Sequence, residues 1–344
     1  MSVRAQPLSR RLVACAASLL VAAACAERPA PPGSGSPSAS AARAAAPAPI
    51  PSARPATATA PAERPVLLAF VGDLSLGLHV GLYLERLARG GEVPPGVEPG
   101  YPFGAVAQRL RRADLAIGNL ECALTSRGAP PSDRQPLRCP IEAVAALQAT
   151  GFDLVSVANN HVNDFGRAGF IDTLRQLEKQ GLAYFGHAVF FVGPQSPWIR
   201  EIRGVRLGLL AYYDPPRPPV DEVRRARAQV DVLGVFNHWG SEGLAEPTVG
   251  QRELGRALCD AGADFVVGTH AHVLQPIELY RGKLIAYGLG NFVFSGMGQR
   301  EATRGGAVLE IELGRGTVLG HQLLRTRLDE HGAPHFVEQP GAER

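Results

Sequence analysis

The sequence predicts an α/β fold over residues 66–344, on three observations. Short apolar runs recur, each ending in a polar cluster, and helix-like segments lie between them. The runs are rich in Val, Leu and Phe, which suits strands buried on both faces. Past Val273 the helical spacing gives way to successive strands joined by turns.

The strands are read in order. Val66 to Val71 runs into Gly72-Asp73, and Leu115 to Gly118 into Asn119-Leu120-Glu121. Phe152 to Ala158 runs into Asn159-Asn160-His161, Val230 to Phe236 into Asn237-His238-Trp239-Gly240, and Ala263 to Gly268 into Thr269-His270-Ala271-His272. Helices are expected over Phe103 to Arg112, Glu142 to Ala149, Ala168 to Gln180 and Gly250 to Ala261, where apolar residues fall three and four apart. Four late strands follow: Gln275 to Tyr280, Lys283 to Tyr287, Ala307 to Leu313 and Val318 to Leu324, with Arg281-Gly282 as a two-residue hairpin turn.

The region before Val66 has a different character. Arg4, Arg10 and Arg11 precede an apolar stretch, Leu12 to Ala24, of the length of an export signal and short of a membrane span. It ends in Val21-Ala22-Ala23-Ala24-Cys25, which resembles a bacterial lipobox with Cys25 as the lipidated residue; an ordinary cleaved signal with an incidental cysteine is the alternative. Cys15 fits the same short pattern but has almost no apolar run before it. Residues 26–65 hold 14 Ala, 10 Pro and 5 Ser, with Ile50 the lone large apolar side chain, too little to offset the entropy of ordering. The expected organisation is thus a lipoprotein signal over 1–25, a disordered Ala/Pro/Ser linker over 26–65 and one folded domain over 66–344. Acyl chains would hold such a protein at a membrane surface, exported and extracytoplasmic.

The formal charge is +3, but 7 Arg and 2 Glu in residues 1–65 leave the remainder at −2. A near-neutral domain has no electrostatic footprint for nucleic acid, so that partner is excluded. Cys122 and Cys139 are placed to form a disulfide worth about 3 kcal/mol in an exported chain. Cys259 lies in a helical pattern beside Leu258 and reads as a buried thiol.

Asp73, Glu121, Asn160, His238, His270 and His272 are the informative residues. In open α/β sheets ligands sit beyond the carboxyl ends of strands, and these six oxygen and imidazole donors occupy five such ends. Taken singly each has a duller reading: a helix N-cap for Asp73, a surface carboxylate for Glu121, a turn for Asn159-Asn160, a packed ring for His238. His270 and His272 would face the same way on an extended segment. Together they suit one or two divalent ions of zinc, manganese or iron, with a carboxylate free to bridge. His161 would then be free to protonate a leaving group. His79, His187, His321, His331 and His335 lack this context.

Six motifs follow in order: Val71-Gly72-Asp73-Leu74-Ser75-Leu76-Gly77, Asn119-Leu120-Glu121, Ala158-Asn159-Asn160-His161 with Asp164-Phe165-Gly166, His238-Trp239-Gly240, Gly268 to Gln275, and Gly288 to Phe294. In this order they resemble the CapA family of bacterial capsule proteins associated with poly-γ-glutamate synthesis. The resemblance covers roughly residues 66–300. It implies the four-layer α/β/β/α sandwich of metallophosphoesterases, in which Asp73 is the first-motif aspartate and Glu121 holds the place of the bridging one. Asn160 and His161 correspond to the Asn-His pair, His238 to the lone histidine, and His270 and His272 to the closing pair. Two residues depart from the metallophosphoesterase pattern: Ser75 stands where Asp-x-His would place a histidine, and Glu121 replaces Asp. A weakly held ion, a single-ion site or an empty first position all stay open. Asn291 belongs to the family pattern without a role that the residues themselves suggest.

Three functions follow as expectations. The first is a surface-tethered CapA-like protein in capsule synthesis, export or anchoring, handling an anionic polymer that its site hydrolyses or transfers, alongside capsule-synthesis membrane proteins. The second is an extracytoplasmic phosphoesterase acting on small phosphorylated substrates. The third is a non-catalytic polymer-binding scaffold. Fold alone does not choose among them.

Overall fold

The computed structural model describes residues 64–97, 100–130, 135–187, 194–295 and 301–337. Cys25, the leader and the linker through residue 63 lie outside the described residues. The chain first lays down β1 (Val66–Leu74), α1 (Leu78–Ala88), α2 (Ala107–Leu110), β2 (Leu115–Leu120), α3 (Glu142–Thr150), β3 (Leu154–Ser156), α4 (Gly166–Gln180) and β4 (Ala183–Phe185). It then builds a second sheet from β5 (Trp198–Ile202), β6 (Val205–Tyr213), α5 (Val220–Arg227), β7 (Val232–His238), α6 (Val249–Ala261), β8 (Phe265–Thr269), β9 (Ile277–Tyr280) and β10 (Lys283–Ala286). Finally β11 (Asn291–Val293), β12 (Gly305–Gly314), β13 (Thr317–Leu328) and β14 (Pro334–Phe336) return to the first sheet. The first sheet has the order β14-β13-β12-β1-β2-β3-β4 with β11 also on β1; the second has the order β5-β6-β7-β8-β10-β9.

Strand alternation explains why there are four layers. On β1, Val66, Leu68 and Phe70 point into one apolar cluster while Ala69 and Val71 point into another. The first face meets Leu207 and Leu209 of β6, Phe236 of β7 and Phe265 of β8, so the two sheets pack directly on each other. Phe70 anchors that seam, with ring centroids 6.0 Å from Phe236 and 5.5 Å from Phe265. The opposite face of the first sheet is covered by α1 to α4 through Leu84, Leu110, Val144 and Phe170. The outer face of the second sheet is covered by α5 and α6 through Val223 and Leu258. Three apolar layers between four structural ones make an α/β/β/α sandwich, the arrangement that the family resemblance implies.

The expected elements are present with local differences. Arg281 and Gly282 both have positive φ, 50° and 77°, the geometry of a two-residue hairpin turn. Helix α6 opens on a capping box, in which the Thr248 hydroxyl accepts from Gln251 N and the Gln251 side chain accepts from Thr248 N. The helix expected over Phe103 to Arg112 is regular only from Ala107 to Leu110; Pro102 and Gly104 make its start a series of turns. Cys259 is buried in α6, and burial pushes its thiol up to about 12.

Asp114, just before β2, ties the two sheets at the end opposite the strand carboxyl termini. Its Oδ2 accepts from Leu67 N at 3.0 Å, and its Oδ1 accepts from Arg203 Nη2 at 2.6 Å, in the turn between β5 and β6. Burial pushes this carboxyl up, but Arg203 and the Leu67 amide outweigh it and hold the pKa below the ordinary 3.8. A depressed folded pKa stabilises fully above the unfolded value, and the stabilisation is lost as pH falls through the folded value. Asp114→Ala should therefore cost about 1–3 kcal/mol near neutral pH in urea unfolding. The difference from wild type should shrink below about pH 4, where the unfolded chain takes up the proton. An unchanged unfolding midpoint at neutral pH would refute the tie.

Candidate metal centre

Strands β1, β2 and β3 run parallel in one sheet, and β7 and β8 run parallel in the other. Their carboxyl ends meet where the two sheets adjoin and carry all six predicted donors. Asp73, Glu121 and His238 are fully buried and His272 is 2% exposed, whereas Asn160 and His270 are half-buried. Asp73 lies within β1, which continues to Leu74, so it is not a helix cap; Glu121 is not a surface carboxylate.

Close backbone approach makes this crowding feasible. β11 docks on β1 with Asp73 N donating to Gly290 O at 3.0 Å and Ser75 N to Val293 O at 2.8 Å. A Cβ at Gly72 would lie 1.9 Å from Gly290 O, so only glycine lets β11 reach this register. That register sets Asn291 opposite Asp73.

A set of amides then fixes three of the donors, Asp73, His238 and His272. Asn119 Nδ2 donates to Asp73 Oδ1 at 2.8 Å and lies 3.1 Å from His238 Nδ1. Asn159 Nδ2 donates to Asn119 Oδ1 and to Leu120 O, while its own Oδ1 accepts from Val162 N. Asn160 Oδ1 sits 2.8 Å from His238 Nε2. Asn291 Oδ1 is 2.9 Å from His272 Nδ1, and Asn291 Nδ2 donates to Thr303 O. Asn119, Asn159 and Asn291 thus position donors, a role that strand-end reading could not see because each partner comes from a different strand.

His270 and His272 converge for a reason other than the expected one. The chain leaves β8 at Thr269 and bends, and the two histidines take positive φ of 88° and 57° instead of extended geometry. Left-handed backbone at a non-glycine residue costs about 1–3 kcal/mol and clusters at functional sites. The bend lets His270 N donate to Asp73 Oδ2 at 3.2 Å and brings His272 Nδ1 to 3.3 Å from that same oxygen.

The electrostatics are those of two carboxylates forced together. Burial pushes Asp73 up, but the hydrogen bond and charge of His272, with help from His238 and Asn119, hold it at about 2. Burial and then the neighbouring Asp73 charge push Glu121 well above the carboxylate range. Burial opposes a proton on His272, yet Glu121 and Asp73 raise it to about 10. Burial lowers His238 strongly, and the charges of His270, His272 and His161 add to that effect. Burial likewise lowers His270.

His161 is held from behind. Its Nδ1 lies 2.7 Å from Asp164 Oδ2, which also accepts from Leu137 N at 2.8 Å. With Nδ1–H donating to the carboxylate, Nε2 is the atom left to give or take a proton. Leu137 precedes Cys139, which is bonded to Cys122 with Cα atoms 5.7 Å apart. The disulfide therefore joins the residue after Glu121 to the strap that holds Asp164. Asp164 was legible only as part of a family motif; its position three residues after His161 on a 3-10 turn is the physical signal that pairs them.

Among the described residues, the donors fit a cation. Both Glu121 oxygens and His270 Nδ1 are buried without a hydrogen-bond partner, and a buried carboxylate without donors is costly unless a positive charge sits beside it. Two groups of donor atoms, Asp73-Glu121-His272 and Glu121-His238-His270, each lie within 4.8 Å of one another and share Glu121. Ser75 Oγ is also buried and unpartnered, where a histidine would stand in the metallophosphoesterase pattern.

Fold and donor set together define a four-layer α/β protein with a metal-competent site at the seam of its sheets. The family model described as "Bacterial capsule synthesis protein PGA_cap" matches residues 67–221 and 216–296, and the chain belongs to that family. It is 33% identical over 248 residues to "PGA biosynthesis protein CapA" of Bacillus subtilis, covering 66% of this chain and 62% of that protein. It is 29% identical over 253 residues to "Capsule biosynthesis protein CapA" of Bacillus anthracis, covering 66% of this chain and 59% of that protein. The match thus spans about six-tenths of the length of either relative. A crystal structure of a hypothetical protein from Thermus thermophilus shares the fold, with a TM-score of 0.50 at 17% identity, covering 76% of this chain and 98% of that one.

Elemental analysis of the full chain, purified without chelator, should find about one to two equivalents of a divalent transition metal, as two donor groups that share Glu121 allow. His270→Ala/His272→Ala should lose most of it while keeping a cooperative melt. Metal content equal in the two proteins would remove these histidines from the centre.

Proposed function

We propose that this chain is a surface-tethered protein of poly-γ-glutamate-type capsule synthesis, export or anchoring, which cleaves or transfers the anionic polymer at this centre. The observation that carries the reading is Glu121, a fully buried carboxylate with two unpartnered oxygens shared by two donor groups. Asp73, Glu121, Asn160, His238, His270 and His272 would hold one or two divalent ions of manganese, zinc or iron. When bound, such an ion polarises a substrate oxygen and acidifies water near neutral pH.

The protein's own part is positioning and proton transfer. Asn119 and Asn291 orient Asp73, His238 and His272 before substrate arrives. His161 Nε2 donates a proton to the leaving nitrogen of a γ-linked amide, while Asp164 fixes the ring from Nδ1. The names of the two CapA relatives support capsule polymer as the substrate class.

The test is turnover by the full chain. Manganese-loaded protein should release γ-glutamyl fragments from poly-γ-glutamate faster than it cleaves an artificial phosphodiester. His161→Ala should lower kcat by about 10²–10⁴-fold with metal content unchanged. Cleavage of the phosphodiester alone would move the assignment to a phosphoesterase, and no turnover of either would leave a polymer-binding scaffold.

The tether is tested separately. Partners are proposed to be membrane proteins of capsule synthesis, met through a lipid on Cys25 and the linker up to residue 65. Cys25→Ala should move the protein from the membrane to the soluble fraction, and continued membrane retention would overturn the lipid anchor.

A further inference from the structure

One charged side chain beside the centre is unused by this reading. Glu242 lies on the loop after β7, four residues past His238, and is exposed. A lone exposed carboxylate is ordinarily solvated. Here, however, one of its oxygens and ring nitrogens of His270 and His272 lie within 4.8 Å of one another, a third donor group beside the two that share Glu121.

The loop is built to keep it there. Before it, Trp239 is buried, with Trp239 N donating to Thr269 O at 3.3 Å and Nε1 to Tyr287 O at 2.9 Å. After it, Gly243 N donates to Ala271 O at 2.8 Å, between the two histidines. Gly240 and Gly243 take positive φ of 92° and 76°, and these turns bring the loop back over the bent His270–His272 segment. The backbone on both sides of Glu242 is therefore tied to the segment that carries the two histidines.

The first motif, on β1, lacks an imidazole donor. Ser75, in the position where an imidazole would complete the first-motif ligands, has a short hydroxyl that is buried and unpartnered. We infer that Glu242 is a metal ligand at the open rim of the centre, supplying from the loop after β7 the donor that Ser75 does not supply from β1. The ion it would take is a divalent first-row transition metal, for which a carboxylate beside two imidazoles is a common donor set. The inference rests on the metal centre proposed above.

The experiment compares the metal-stripped full chain with Glu242→Gln and Glu242→Asp. Titration calorimetry with Mn²⁺ gives affinity and stoichiometry, and visible absorption of the Co²⁺-loaded protein reports the coordination sphere; neither reads activity. Because Glu242 is exposed, both variants should melt like wild type. The amide should weaken the weaker Mn²⁺ site by about 10-fold or more and change the Co²⁺ bands, with the shorter carboxylate restoring part of both. Metal binding by wild type with unchanged affinity, stoichiometry and bands in Glu242→Gln would overturn the role of Glu242 alone. No Mn²⁺ or Co²⁺ binding by wild type would overturn the metal centre and this inference together.

Discussion

The rest of the site answers to one electrostatic constraint: Asp73 and Glu121 are both buried at adjoining strand ends, and only one of them has hydrogen-bond donors. Asp73 receives Asn119 Nδ2 and His270 N, with His272 alongside. Glu121 has His238 Nε2 at 3.4 Å and His272 Nε2 at 3.9 Å, and neither makes a hydrogen bond to it. Two like charges in a dry place push one pKa up and hold the other down, and these two carboxyls separate in that way. A packed apolar pair would be more stable than this arrangement, so its presence is evidence for a cation.

Tolerating that charge requires a rigid frame, and the sandwich supplies it. Strand alternation commits one face of β1 to the seam between the sheets and the other to the helices, so β1 cannot slide by one residue without turning Phe70 out of its contacts with Phe236 and Phe265. Asp114 fastens the seam at one end, and β11 closes the other through the glycine contact at Gly72. The disulfide adds a covalent link beside Glu121, and it constrains the strap whose Leu137 amide holds Asp164. His161 is therefore linked to the strand end that carries Glu121 by a path of bonded and hydrogen-bonded atoms.

The sequence showed the strands whose ends carry chemistry, because each is an apolar run with an abrupt polar stop. It hid elements without that contrast. β6 is as apolar as β7 but runs from Val205 to Tyr213 into an Asp-Pro-Pro turn without imidazole or amide donors, and a reading guided by polar strand ends passes over it. α5 buries only Val223 and Ala226 amid five charged residues, too narrow a stripe to register as a period. Within the site, the donors were legible and their supports were not. Asn119, Asn159 and Asn291 act through partners set by pairing between strands, and His270 and His272 converge through a left-handed bend in place of the extended geometry their spacing suggests.

Exposure gives the centre a direction. Asp73, Glu121 and His238 are sealed, and His272 nearly so, while Asn160 and His270 are half-buried, the His161 side chain is 15% exposed and Glu242 is open. A ligand would meet Asn160, His161, His270 and Glu242 first, because Asp73, Glu121, His238 and His272 are buried behind them.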